Sequence, residues 1–314
     1  MKHIQLSIII VNWNSIELLK PCILSLWENN PDFDFEVIVV DNASEDNSIE
    51  ILKKEFSQVE LIENNTNIGF TRANNMAINK SMGRYILLLN PDTLMIEKDI
   101  LKNWVDFMEH HPDVGASGCK LINEDGSHQV GDAGFRPSLT TVFNFSFFLS
   151  KIMPLKCKGL FINFEKYIGP VEVDWVSGAD FLIRRSILDT VGLMNEDIFM
   201  YADDIEWGCR IRTNGFKVMY LPHFKIVHLQ GGSAKKRSDI NRFSSLWLKN
   251  IRLLFSYYNK NKHVWLYDMI ISMGFLIRAF LYYCFYIKSK NEDVRIKAIK
   301  MFSYFKFSLS HMMG

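Results

Sequence analysis

From Leu6 to His110 the chain repeats one unit, a short apolar, β-branched run followed by a helical pattern. "LSIIIV" precedes Ser15–Glu28, "EVIVV" precedes Asp46–Phe56, "VELIE" precedes Phe70–Ser81 and "YILLLN" precedes Lys98–His110. Runs apolar on both faces need cover on both sides, and a helix after each one supplies it. The pattern predicts βαβ units, a mostly parallel central sheet flanked by helices, and so the α/β class. Ligands of such sheets bind beyond the carboxyl ends of the strands. Those ends carry Asn12 and Asn14, Asp41 and Asn42, and Asn90 and Asp92, so three strands bring polar side chains to one edge. The absence of a G-x-G-x-x-G pattern argues against a dinucleotide-binding turn.

Residues 123–170 are less regular, with Gly126, Gly131 and Gly134 ahead of the aromatic "TVFNFSFFLSKIM". They read as a loop region holding a flap or an interfacial segment. Regular pattern returns at "VEVDWVSGADFLIRRSIL", followed by a helix from about Asp203 to Asn214 and by the strands "KVMYLP" and "KIVHL". After Gly231-Gly232 the composition shifts to "LWLKNIRLLFSYY" and "VWLYDMIISMGFLIRAFLYYCFYI", aromatic and aliphatic with basic flanks. A catalytic domain over 1–233, divided near 120, and a helical extension over 234–314 are the expected organisation.

The net charge of +1 conceals an asymmetry: residues 231–314 hold 15 Lys/Arg against 4 Asp/Glu, and the rest hold 21 against 31. Regions of opposite charge face different partners. The basic charges of the tail are interleaved with long apolar runs that need burial, which speaks against nucleic acid. The 24-residue apolar stretch is long enough to span a bilayer but contains Asp268 and Arg278. Each charge costs about 2.5–3.5 kcal/mol near the bilayer centre, against about 0.3–0.6 gained per large apolar residue. Lys260 and Lys262 on one flank and Lys288 and Lys290 on the other give no orientation bias. They suit helices lying on an anionic membrane surface, with packing or a homo-oligomer interface as the other reading. Five cysteines without a C-x-x-C pair fit reduced thiols in the cytoplasm, and the N-terminal apolar run is too short for a signal peptide.

Four places could carry chemistry. Asp41 in "VIVVDNASED" is either part of a turn or helix cap, for which Asn42 or Ser44 would suffice, or an acceptor for a ring N–H of a bound base. Arg72 falls in the first turn of a helix, where a cation opposes the helix dipole, so a ligand phosphate or base explains it better. Asp203, Asp204 and Glu206 crowd the start of the helix in "FMYADDIEWGCRIRTNGF" beside Trp207, a setting for a carboxylate general base. Arg210 stands four residues beyond Glu206, at pairing distance along one face. His228 ends a strand, and a lone histidine is more often structural than a ligand.

Taken together, "SIIIVNWN", "VIVVDNASED", "NIGFTRANN", "LLLNPDT", "VSGADFLIRR" and "MYADDIEWGCR" resemble the bacterial family-2 glycosyltransferases, over about Leu6 to Ser233. The nearest branch transfers rhamnosyl or galactofuranosyl groups onto cell-surface polysaccharides. The resemblance implies the GT-A fold, a nucleoside-diphosphate sugar donor, Mn²⁺ or Mg²⁺, and inversion at the anomeric carbon. It implies that Val11, Asn12, Asn14, Asp41, Arg72, Asn90 and Asp92 bind the nucleotide sugar in the 1–120 half. Asp92 would ligate the metal with His228, and Asp204 or Asp203 would be the catalytic base. Trp175, Glu206 and Trp207 would border the acceptor in the 121–233 half. Asn90 stands where the family's D-x-D pattern has its first Asp, and Asp203 where Glu is commoner. The branch points to dTDP-rhamnose as donor and a lipid-linked saccharide at the cytoplasmic membrane face as acceptor. A sugar nucleotidyltransferase lacks support because "NWNSIELL" replaces the Gly-rich basic loop expected after its first strand, and a decayed, non-catalytic carbohydrate- or membrane-binding scaffold is opposed by the intact acids.

Overall fold

The structure, a computed structural model, describes residues 4–29, 31–162, 167–198, 202–229 and 245–313. The stretch Phe199–Tyr201 and the Gly231-Gly232 junction lie outside the described residues. The elements begin β1 (Leu6–Asn12), α1 (Ile16–Asn29), β2 (Phe35–Asp41), α2 (Ser48–Glu55), β3 (Glu60–Glu63) and α3 (Phe70–Lys80). They continue through β4 (Tyr85–Leu89), β5 (Thr93–Met95), α4 (Ile100–His110), β6 (Val114–Ile122), α5 (Leu139–Ser146), β7 (Val171–Val173) and β8 (Asp180–Arg184). The chain ends with α6 (Asp203–Thr213), β9 (Lys217–His228), α7 (Leu246–Tyr258), α8 (Val264–Ser289) and α9 (Glu292–Met313).

Two compact units divide these elements: Met1–Ala133 with Glu165–Arg237, and Gly134–Phe164 with Ser238–Gly314. In the first, nine strands form one sheet in the order β3-β2-β1-β4-β8-β6-β9-β5, with β7 paired to β9. Strands β1 to β4, β6 and β9 share one direction, and β5, β7 and β8 oppose it. Ile8, Ile10, Val37, Val39, Leu87 and Leu89 build the core with Leu19, Ile23 and Leu26 of α1 and Trp104 of α4. "KVMYLP" and "KIVHL" are one strand, β9, whose pairing with β6 shifts register between Leu221 and Lys225. The carboxyl ends of β1, β2, β4 and β9 therefore share one edge of the sheet, and the antiparallel β8 begins there.

The second unit is helical, and it changes the expected organisation: residues 134–164 cluster with the C-terminal helices, not with the sheet. Aromatic packing is the physical cause. Phe161 lies 6.1 Å from Trp247, and Trp247, Phe275 and Tyr304 meet edge-on at 5.3–6.2 Å. Gly274 lets α8 close onto α5, because a Cβ there would stand 2.6 Å from Ser146 Cβ. The two charges inside α8 find protein partners. Asp268 is buried and takes a bidentate pair from Arg252, at 2.7 and 2.9 Å. Arg278 donates to the carbonyls of Phe145, Ser146 and Gly274 and lies over the Phe145 and Phe148 rings. Both charges are thus matched by partners within the second unit. α8 exposes an apolar stripe, Trp265, Met269, Met273, Leu276, Phe280, Tyr283 and Ile287, spaced three and four residues apart on one face, and beside it Leu281 and Phe285. Among the described helices α8 alone is long and apolar enough to cross a membrane, by length and composition.

Candidate active site

The turn after β4 explains how distant residues meet. Leu89 ends the strand, Asn-Pro-Asp reverses the chain, and Thr93 seals the turn by donating from its hydroxyl to Asn90 O at 2.7 Å. β5 then pairs antiparallel with β9, Thr93 opposite His228. That register sets His228 beside Asp92: Nε2 lies 3.2 Å from Asp92 Oδ1 and 3.3 Å from Asn90 Nδ2. Two neighbouring ligands at about 2.1 Å on an octahedral cation stand about 3 Å apart, so an imidazole nitrogen and a carboxylate oxygen at this separation fit one divalent ion. Among the described residues no third His, Cys, Asp or Glu joins them. Asp92 and His228 could hold such an ion only with ligand or water oxygens completing its shell.

Asp204 occupies the first turn of α6, where the dipole favours an anion. Its Oδ2 accepts from Gly178 N–H at 3.0 Å and its Oδ1 from Ile205 N–H at 2.8 Å. Burial raises its pKa above the ordinary carboxylate value, and those two N–H groups act in the other direction. The same short loop touches the turn that carries Asp92, since Asn90 N–H donates to Ala179 O at 3.0 Å. Asp203 is buried in the same turn, whereas Asp204 keeps partial exposure.

At the other end of the edge the loops after β1 and β2 are clasped. Asn12 Nδ2 donates to Asp41 Oδ2 at 2.7 Å and to Ser44 Oγ at 3.2 Å, and its Oδ1 accepts from Ser15 Oγ at 2.7 Å. Asp41 is fully buried and its Oδ1 accepts from Ser44 N–H at 2.8 Å, so its bonds are those of a turn former. Asn14, at φ 53°, accepts from Glu45 N–H at 2.6 Å, and Val11, half-buried, lies opposite Val40. Neither Asn42 nor Ser44 caps α2. The cap position, Asn47, makes no side-chain cap bond either; Asp46, one residue earlier, accepts from Ser48 N–H at 3.1 Å, and its other oxygen accepts from Ile16 N–H of α1 at 3.2 Å. One carboxylate thus serves two helix starts. Arg72 is exposed, with Nε 3.4 Å from Glu196 Oε2. The two line a cavity of about 400 Å³ with Thr66, Asn67, Ile68, Thr71 and Ile198.

The residues expected at an acceptor take other places. Glu206 is held bidentate by Arg210 at 2.8–2.9 Å, and Arg210 also donates to the carbonyls of Val191 and Leu193. That network ties α6 to the 191–193 turn. Trp207 is buried, stacked on Phe181 at 5.0 Å and donating to Gly192 O. Trp175 is buried against Gly208 of α6. Both rings serve the core, the ordinary place for a large aromatic. The sequence reading missed Gly178, Asp46 and Gln129. The last holds His228 from a turn whose only sequence signal is Asn-Glu-Asp-Gly.

One edge of a mixed sheet thus gathers polar strand ends, an Asp–His pair and a helix-borne carboxylate. The glycosyl transferase family 2 model matches residues 7–168, and this chain belongs to that family. It is 24% identical over 248 residues to the O-antigen biosynthesis protein RfbC of Myxococcus xanthus, covering 78% of this chain and 18% of that protein. It is 26% identical over 233 residues to the rhamnosyltransferase WbbL of Escherichia coli, covering 70% of this chain and 82% of that one. The chain spans only 18%, 24% and 20% of the length of three larger curated relatives. Its fold is similar to that of the mannosyltransferase PcManGT of Pyrobaculum calidifontis, solved with GDP-Man and Mn²⁺, at a TM-score of 0.59 and 17% identity over 99% of this chain and 87% of that one.

Proposed function

We propose that this chain transfers a sugar, with inversion, from a nucleoside-diphosphate donor to a hydroxyl of a lipid-linked or cell-surface polysaccharide acceptor. The observation that carries the reading is the meeting of His228 with Asp92 and Asn90 at the sheet edge, across more than 130 residues of sequence. Asp92 and His228 would hold Mn²⁺ or Mg²⁺, which when bound neutralises charge developing on the leaving diphosphate. Val11, Asn12, Asn14 and Asp41 shape the nucleotide end, where the clasped loops keep the pocket wall in place. Arg72, paired only weakly at the surface with Glu196, is free to exchange that partner for a ligand phosphate. Asp204 takes the proton of the attacking hydroxyl. Its raised pKa makes it a stronger base than an ordinary carboxylate, and Gly178 N–H keeps it aimed. dTDP-rhamnose is the proposed donor, supported by the likeness to WbbL. The apolar stripe of α8, with Lys260, Lys262, Lys288 and Lys290 at its ends, supports docking on the cytoplasmic face of an anionic membrane, where such an acceptor resides.

The test is Asp204→Asn, which keeps the size and the acceptor for Gly178 N–H but cannot take a proton. Transfer should fall about 10²–10⁴-fold while donor binding changes little. Normal turnover in that variant sinks the assignment.

A further inference from the structure

His228 is gripped on its far side by a residue that no motif marks. The chain leaves β6 at Ile122 and turns back at once: Asn123 N–H donates to Ser127 O and Gln129 N–H to Leu121 O, each at 2.9 Å. The turn delivers the Gln129 side chain, only 5% exposed, to the imidazole. Gln129 Nε2 donates to His228 O and to Asn123 Oδ1, both at 3.0 Å. These two acceptors settle which end of the amide is nitrogen, so the atom 2.6 Å from His228 Nδ1 is the amide oxygen Oε1. An amide oxygen only accepts, and therefore Nδ1 carries the ring proton. In the neutral ring the lone pair is then on Nε2, the nitrogen that faces Asp92 Oδ1 and accepts from Asn90 Nδ2. A lone pair and a carboxylate oxygen 3.2 Å apart repel unless a proton or a metal cation lies between them.

We infer that Gln129 is a positioning residue that fixes the tautomer and ring plane of His228, so that Nε2 is presented as a metal ligand. The inference rests on the reading of Asp92 and His228 as the divalent-ion site. Buried partners of metal-binding imidazoles act in this way in general, and losing one weakens metal affinity about 10–100-fold. Two substitutions separate positioning from plain structural support. Gln129→Glu forfeits both donated bonds, to His228 O and Asn123 Oδ1, yet still accepts from Nδ1–H. Gln129→Leu forfeits everything.

Mn²⁺ affinity of the full chain is measured by the loss of the free Mn²⁺ paramagnetic resonance signal, with dTDP or UDP present. In parallel, ¹⁵N-histidine NMR without metal reads the His228 tautomer, its signals assigned by their absence in His228→Ala. The expected result is an Nδ1–H tautomer and tight Mn²⁺ binding in wild type and Gln129→Glu. Gln129→Leu should lose that tautomer and bind Mn²⁺ about 10–100-fold more weakly. If both variants weaken Mn²⁺ equally, or the Leu variant binds like wild type while His228→Ala does not, the positioning role is overturned. If His228→Ala and Asp92→Ala themselves bind Mn²⁺ like wild type, the metal site itself is wrong and the inference falls with it. Thermal melts of each variant guard against a folding defect.

Discussion

Replacing Asp180 tests how the sheet edge beside Asp204 is held. Asp180 opens β8 and is fully buried, and its Oδ2 accepts from Cys119 N–H at 2.7 Å. The β6–β8 ladder pairs only Leu182 with Ser117 and Ile183 with Ala116, so this carboxyl takes over where backbone pairing has stopped. Its Oδ1 has no partner among the described residues, and neither does Oδ1 of Asp132. The other oxygen of Asp132 accepts from Tyr220 O–H at 2.7 Å and His128 Nε2 at 2.8 Å. Burial, followed by the charge of Asp132, pushes the Asp180 pKa well above the usual carboxylate range, against the pull of Cys119 N–H. A carboxyl whose folded pKa is raised holds a proton that the unfolded chain has released. Stability therefore falls as pH rises from the unfolded value, about 3.9, to the folded pKa, and then levels off. Asp180→Asn keeps the acceptor for Cys119 N–H and carries no charge. Asp180→Leu strands Cys119 N–H in the sheet at a cost of about 1–3 kcal/mol. At about 2–4 °C per kcal/mol for domains of this size class, the Leu variant should melt ~2–12 °C below the Asn variant at pH 7. Thermal melts followed by circular dichroism between pH 5 and 8 measure this, with a falling trend in wild type and a flatter one in Asp180→Asn. Equal melting of the two variants, or an unchanged pH trend in Asp180→Asn, would refute the reasoning.

Two further outcomes follow from packing. A Cβ at Gly208 would lie 2.7 Å from Asp174 O and Trp175 Cα, backbone that cannot yield cheaply. Gly208→Ala should cost ~1–3 kcal/mol and lower transfer more than donor binding, because Asp204 rides on the same helix; a wild-type melt would contradict this. On the exposed stripe of α8, Trp265→Glu and Phe280→Glu should each weaken binding to anionic vesicles at least about tenfold, from ~1.5–3 kcal/mol of lost burial. Unchanged cosedimentation, or wild-type binding indifferent to salt, would remove the membrane-docking role.

Most of the elements were legible because burial is written into local spacing. The two-sided apolar runs gave β1 to β4, and the tail stretch 246–258 matches α7 to the residue. The acids at strand ends and helix starts could also be singled out: Asp204 stands where a helix start leaves N–H groups unpaired, and Asp92 stands where an apolar strand gives way to a turn. Glu206 misled for the same reason: an acidic first turn looks alike whether its carboxylate faces ligand or an arginine one turn on. Trp175, on a short strand, and Trp207, on α6, misled because an aromatic beside acids carries no mark of which side of its element will be covered. Asp268 and Arg278 were counted against the membrane because their partners, Arg252 and the carbonyls of Phe145 and Ser146, cannot be paired by spacing.

By itself the sequence determined the α/β repeat, the sheet edge on which polar ends gather, the family motifs and the basic, apolar tail. These are local properties, set by side-chain periodicity and by what each strand or helix end leaves unsatisfied. Only the tertiary structure decided that His228 lies against Asp92, that Gln129 orients it, and that residues 134–164 pack with the C-terminal helices. The antiparallel pairing of β5 with β9 joins Thr93 to His228 across the chain, and such a register arises from the whole sheet, not from any segment of it.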